Sequence, residues 1–347
     1  MAGAFDIAYG AARLARVAWF AGQYVAAERL TRGRRGAFVQ AEGREPIGWR
    51  PILAALGDLF ERDRRLIEAG VYAVPADLAL RPGRAVGDAY RFFRDLPAVA
   101  RRRRDHGHDE VRGEVRDMGA PGTYPAYYLQ NFHYQTDGWL SDHSADVYDH
   151  QVEVLFTGAA AAMRRQALPL LRQVIAGRDT RQLRVADIAC GTGGLIDDMK
   201  ATWPRLHVTG LDLSPAYLRR ARRRLARRGG IGFVQAKAEA LPFADDSLDA
   251  LTCVYLFHEL PPRVRIAVAA ECARVLKPGG GLILVDALQT GDTPAFDGLL
   301  DFFPRAFHEP YFSTYADLDL DGLFGAAGLR REAWWPAFLS KAVLFRK

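Results

Sequence analysis

The run RVADIACGTGG at residues 184–194 decides the fold. Its first part is short and apolar apart from Arg184 and Asp187. Its second part places Gly191, Gly193 and Gly194 directly before a helical stretch that opens near Leu195. Glycines at a strand-to-helix turn let a ligand approach the backbone, and open α/β sheets bind ligands outside the carboxyl ends of their strands. The alternation continues downstream. HVTGLDL at 207–213, GFVQAK at 232–237, LDALTCVY at 248–255 and GLILVDAL at 281–288 are strand-like, and stretches such as 214–228 and 261–276 between them are helical. Apolar strands alternating with helices predict an α/β fold: a mostly parallel sheet covered on both faces. Two further strand-like runs, around 334–335 and 337–345, are joined too tightly for a crossover helix and should be antiparallel neighbours.

The second run ends in Asp212, twenty-five residues after Asp187, where a carboxylate accepts hydrogen bonds from both hydroxyls of a ribose. A dinucleotide-dependent dehydrogenase shares that geometry, but its G-x-G-x-x-G fingerprint, counted from Gly191, puts Ile196 at the third glycine. Asp187 instead resembles the motif I acid of class I S-adenosylmethionine-dependent methyltransferases. The resemblance continues in order through LDLSP at 211–215, AEALPF at 238–243 and RVLKPGGGLILVD at 274–286. It covers about residues 182–347 and is closest to the branch with the ubiquinone and menaquinone C-methyltransferases.

What the resemblance implies is a Rossmann-like class I methyltransferase sheet with an antiparallel last strand and S-adenosylmethionine as cofactor. It implies methyl transfer to oxygen or carbon of a small aromatic or hydrophobic acceptor of phenol, quinol or enol type. Asp187, Ala189, Gly191 and Gly193 would hold the methionine end and the sugar, Asp212 the ribose hydroxyls and Leu213 the adenine, with Val254 also at the cofactor. The family commonly has an Asp before the Ala-Glu pair, meeting the adenine amino group, and Lys237 stands there. An ammonium accepts no hydrogen bond, so the Ala238 backbone or Glu239 is expected to read the adenine.

Methyl transfer is an in-line displacement in which positioning dominates, but a phenol or enol also needs a base. His258 and Glu259 follow the fourth strand-like run on the cofactor side, and imidazole titrates near neutrality. FFPRAFHEPYFSTY at 302–315 supplies the rival pair His308 and Glu309. In this family, insertions at that place line the acceptor site, which points to Phe307, Tyr311 and Tyr315, with Phe257 from the other loop. Residues 119–150 pack seven aromatic side chains and three histidines among polar residues, so Tyr128, His133 and Trp139 are expected to belong to a lid over the acceptor. An interdomain packing segment is the alternative for that stretch.

The chain has 347 residues, 49% hydrophobic and 25% charged, which excludes a disordered or fibrous protein. The net charge of +6 rests on 47 basic against 41 acidic residues, a mild bias that allows nucleic acid without indicating it. Three cysteines without C-x-x-C spacing fit a reducing cytoplasm, and no ligand set for a metal is spelled out. The first thirty residues read as neither signal peptide nor membrane span, since Arg13 and Arg16 interrupt the apolar run. Ile7, Leu14, Val17, Trp19 and Phe20 recur at helical spacing, so a packed helix is expected there, an interfacial membrane helix being the alternative. Three segments follow: an N-terminal helical domain at 1–118, an aromatic lid with a connecting helix at 119–180, and the cofactor-binding domain at 181–347. The helical domain could shape the acceptor pocket, touch a membrane surface or carry a homodimer interface. An RNA or protein methyltransferase, or a cofactor-binding protein without catalysis, are the competing functions.

Overall fold

A computed structural model describes residues 2–32, 48–78, 80–117 and 124–347. The chain forms two compact units, and the boundaries expected at 118 and 180 do not coincide with them: the former lies outside the described residues. The sheet unit comprises Ile47–Pro75, Ala161–Leu300 and Tyr311–Lys347; the helical unit comprises Met1–Pro46, Ala76–Ala160 and Asp301–Pro310.

In the sheet unit, seven strands run β1 (Arg184–Ile188), β2 (His207–Asp212), β3 (Ile231–Gln235), β4 (Leu248–Val254), β5 (Leu276–Ala287), β6 (Arg330–Ala337) and β7 (Ser340–Arg346). Their spatial order is β3-β2-β1-β4-β5-β7-β6. The first five are parallel, and β7 is antiparallel to both β5 and β6, as expected from the tight connection. The chain builds outward from β1 to β3 and then returns to place β4 on the other side of β1. That reversal opens a crevice at the carboxyl ends of β1 and β4, where open α/β sheets bind ligands.

Local chemistry explains the flanking helices. Pro215–Leu225 begins behind Ser214, whose side chain accepts the Tyr217 N–H at 3.2 Å, with Pro215 in the first turn where no N–H is needed. Its buried face is Ala216, Tyr217, Leu218, Ala221 and Leu225, and its arginines fall on other faces. The helix Trp49–Glu68 belongs to this unit although it lies far upstream in sequence. Asp63, fully buried, takes two hydrogen bonds from Arg165 at 3.0 and 3.1 Å and a third from the Tyr72 hydroxyl at 2.6 Å.

The helical unit packs three long helices, Ala2–Arg32, Pro82–Asp105 and Asp142–Leu155, around Phe20, Ala27, Phe92, Leu96 and Val154. Pro82 opens one 24-residue helix and Pro97 sits inside it, exposed, where it removes one backbone N–H donor. The connecting helix expected within 119–180 is broken into Asp142–Leu155, Ala160–Arg165 and Ala167–Ile175. Thr157 and Gly158 turn left-handed at the first break, and a β-carbon on Gly158 would press on Arg16 and Phe20 at 3.1 Å.

Ala2–Arg32 is one helix, as its periodicity predicts, and Phe20 and Trp19 of the expected face pack inward, but Ile7 and Leu14 do not. Ile7 and Leu14 are 76% and 72% exposed, while Arg13 and Arg16 are buried. Arg13 pairs with Asp77 at 2.9 Å; Arg16 pairs with Glu153 at 2.8 Å, donates to the Gly158 carbonyl at 3.0 Å and covers the Phe20 ring. Among the described residues, no helix is long and apolar enough to cross a membrane.

Candidate functional site

The turn after β1 is built on left-handed backbone at Ala189, Gly191 and Gly193, and opens the helix Gly194–Thr202. A β-carbon on Gly191 would meet no atom within 4 Å, so the turn has room there for a ligand. On Gly193 it would lie 2.9 Å from Leu225, so that glycine serves close packing against the next helix. The Gly191 N–H donates to Asp212 Oδ2 and the Ser214 N–H to Asp212 Oδ1, both at 2.8 Å. A carboxylate has about four lone-pair sites, so beside these backbone bonds it keeps acceptor capacity for ligand hydroxyls. Burial pushes the Asp212 carboxyl up to about 6 against these backbone donors. A vicinal diol entering beside Gly191 would supply the solvation that burial removed, so the residues present fit a ribose.

Asp187 ends β1 in register with Thr252 of β4, whose hydroxyl donates to it at 2.6 Å. Burial pushes its carboxyl up to about 7, against the Thr252 bond and the nearby Arg164 charge. Arg164 also overhangs the turn, since a β-carbon on Gly194 would fall 2.7 Å from its guanidinium carbon. Leu213, Ala238, Glu239 and Val254 are all half-buried and follow or end β2, β3 and β4. They therefore stand at the same end of the sheet as the glycine turn.

His258 and Glu259 lie in a short turn, Phe257–Glu259, after β4. His258 Nδ1 is 2.5 Å from Oδ1 of Asp286, which ends β5 and is wholly buried; Asp286 Oδ2 accepts the Phe257 N–H at 2.8 Å. The ring meets Phe312 and Tyr315 edge-on at 6.0 and 6.2 Å. Assigning the proton of neutral His258 to Nδ1, beside the carboxylate, makes Nε2 the nitrogen that accepts a proton. Glu259 Oε1 is 4.0 Å from that Nε2. Arg265, almost fully buried, holds this loop by donating to the Phe257 and Tyr311 carbonyls at 2.8 and 2.7 Å.

Asp286 escaped the sequence reading, as did Thr252. The available signal was topological: the Asp at the end of β5 must neighbour the loop after β4 once those strands pair, as Val254 and Val285 do. Phe257 and Tyr315, expected to line an acceptor, are core side chains. Phe257 packs on Phe324, and the Tyr315 hydroxyl donates to the Ala287 carbonyl at 2.8 Å. Tyr311 is half-buried in the sheet unit.

His308, Glu309, Phe307, Tyr128, His133 and Trp139 fall in the helical unit. His133 Nε2 is 2.8 Å from Glu309, whose side chain is fully buried, and the His133 ring meets Trp139 and Phe307 edge-on. His308 stacks on His108 at 4.4 Å and reaches Gln130 at 3.2 Å; burial, with His108 alongside, lowers its imidazole to about 4. Tyr128 stacks on Tyr124 and packs on Val111, Val115 and Leu129. The sequence-predicted residues thus separate into one set around the strand ends and another among the long helices.

A glycine turn with room for a ligand, beside a half-buried carboxylate at the switch point of a parallel sheet, defines an α/β protein that binds a nucleoside cofactor. Residues 185–280 match the methyltransferase domain family. The chain is 35% identical over 159 residues to the ubiquinone/menaquinone biosynthesis C-methyltransferase UbiE of Methylobacterium nodulans, covering 45% of this chain and 60% of that protein. It is 34% identical over 167 residues to UbiE of Syntrophotalea carbinolica, covering 48% of this chain and 67% of that one. A fatty-acid O-methyltransferase of Mycolicibacterium smegmatis is 35% identical over 138 residues, 40% of this chain and 49% of its own length. The match thus spans less than two thirds of the first and third of these relatives. The chain belongs to the class I S-adenosylmethionine-dependent methyltransferases, on the branch of the ubiquinone and menaquinone C-methyltransferases.

Proposed function

We propose that the protein transfers a methyl group from S-adenosylmethionine to oxygen or carbon of a small aromatic or hydrophobic acceptor, of phenol, quinol or enol type. One observation carries the reading: a buried His258–Asp286 dyad and the Gly191–Asp212 cradle stand at the carboxyl ends of neighbouring strands in one unit. The cofactor supplies an electrophilic methyl group on a sulfonium. Gly191 gives it room, Asp212 accepts from its ribose, and Ala238 and Glu239 follow β3 where the adenine belongs. His258 Nε2 takes the acceptor's hydroxyl proton, Asp286 holds the imidazolium that results, and the buried surroundings exclude water. Glu259 adds a second negative charge near Nε2.

Two further facts favour a small acceptor. The names of matched relatives include both quinone-ring and fatty-acid methylation, chemistry at carbon and at oxygen of hydrophobic compounds. Several arginines of 219–228 that an RNA would need are engaged within the sheet unit: Arg224 binds Thr192, Arg222 the Phe233 carbonyl and Arg228 Asp197. Three buried, unpaired cysteines suit a cytoplasmic setting.

The test is calorimetric titration with S-adenosylmethionine, followed by labelled methyl transfer to a panel of phenols, hydroquinones and enols, with bulk RNA and protein alongside. Saturable cofactor binding and transfer to a small acceptor are expected. His258→Ala should then lower turnover about a hundredfold or more at unchanged cofactor affinity. Transfer to macromolecules alone overturns the acceptor class, and binding without any transfer overturns catalysis.

A further inference from the structure

The helical unit contains a cavity of about 720 Å³, its open mouth included, between the helices Ala2–Arg32, Pro82–Asp105 and Asp142–Leu155. Its walls are largely apolar and aromatic, with Phe92, Tyr148 and Phe307 among them. Its charges are matched: Arg103 lies 3.9 Å from Glu28 and covers the Phe307 ring at 5.4 Å. Such a wall favours a neutral ligand over an ionised one, since neither charge of a matched pair is left to be neutralised.

His133 Nδ1 and Gln151 Oε1 are buried and make no hydrogen bond. With the His133 proton on Nε2, facing the Glu309 carboxylate, Nδ1 is an acceptor. A buried acceptor without a donor is costly, and a ligand with a proton to donate removes that cost. His133 is also held with φ of 54° in the left-handed region, a strained setting for a histidine, and Asn131 ties the turn by donating to the Gln135 carbonyl at 2.9 Å.

We propose that this cavity binds a neutral, flat aromatic compound through an aromatic hydroxyl that donates to His133 Nδ1. Aromatic walls hold the ring, and the hydroxyl supplies the donor that the lining lacks. The proposal concerns binding and holds whether or not the bound compound is methylated.

The probe is 2-naphthol, titrated into the full chain without S-adenosylmethionine, against 2-methoxynaphthalene, which has the same rings and no proton to donate. Saturable binding of 2-naphthol is expected, about tenfold tighter than its ether, the worth of roughly one hydrogen bond. His133→Phe should abolish that preference, and Ala100→Trp, which fills the cavity from the helix Pro82–Asp105, should abolish binding. Leu155→Trp fills it from the facing helix and serves where Ala100→Trp does not fold. Equal binding of the two probes, or 2-naphthol affinity unchanged by both tryptophans, overturns the site. Methyl transfer to 2-naphthol is measured separately, so a protein that methylates it yet fails these binding tests loses the cavity and keeps the enzymatic reading.

Discussion

The two units bury polarity in opposite ways. In the sheet unit apolar strands carry the interior, and the ionisable groups that matter stand at strand ends: Asp187 on β1, Asp212 on β2 and Asp286 on β5. In the helical unit the charges lie between the helices themselves, with Arg13, Arg16, Arg102 and Asp95 all buried and apolar Ile7 and Leu14 turned to solvent. Polarity at strand ends is available to a ligand. Polarity between helices is engaged within its own unit, as Arg13 with Asp77, Arg16 with Glu153 and Arg102 with the Tyr134 carbonyl show.

The sharpest way to break this contrast is within one helix. Arg16→Ala should destabilise the protein by about 3–5 kcal/mol, because it leaves Glu153 and the Gly158 carbonyl without their guanidinium. Leu14→Ala, two residues away, should cost under about 0.5 kcal/mol beyond helix propensity. Denaturant unfolding of both variants reads the difference, and a larger loss at Leu14 would reverse the assignment of inward and outward faces.

A smaller effect separates the two glycines of the turn. Alanine at either left-handed position strains the backbone by about 1–2 kcal/mol. Gly193→Ala should add instability through its clash with Leu225, whereas Gly191→Ala should mainly weaken cofactor binding by filling the space beside Asp212. Unfolding curves and cofactor titration of each variant test the division, and equal losses in both measurements would undo it.

A third effect distinguishes the units by pH. Asp187 and Asp212 are raised from 3.8 to about 7 and about 6, so the folded sheet unit binds more protons than the unfolded chain in that window. Its stability is greatest below pH 3.8 as far as these groups are concerned and is lost as pH rises through 6 to 7. His150 and His308 are lowered from 6.5 to about 4, chiefly by burial, so their contribution is present above 6.5 and lost as pH falls to 4. As pH rises from 4.5 to 6.5, amide protection relative to the intrinsic exchange rate should therefore increase in Asp142–Leu155 and decrease in β1. Parallel changes in both would sink the assignment.

How far the sequence could be read follows the same contrast. The strands, their direction, the glycine turn and Asp212 were legible because parallel strands are buried on both faces and their turns carry glycine for a geometric reason. The phase of the first helix was not. A 3.6-residue period appears equally in its apolar and arginine stripes, and only the positions of Asp77 and Glu153, over sixty residues away, decide which stripe turns inward. Asp286 was quoted within a motif and its partner went unseen, because His258 reaches it only after β4 and β5 pair.

The sequence by itself determined that an α/β sheet with a nucleoside-cofactor turn exists and where it begins, since glycine placement and apolar runs are local signals. Tertiary structure alone decided that Trp49–Glu68 joins that sheet, that Tyr315 and Phe257 are core, that Asp286 holds His258, and that a cavity with an unpartnered acceptor lies among the helices. Each depends on groups distant in the chain meeting in a dry interior, where an ion or a polar atom is stable only with a partner, and no local pattern records which partner arrives.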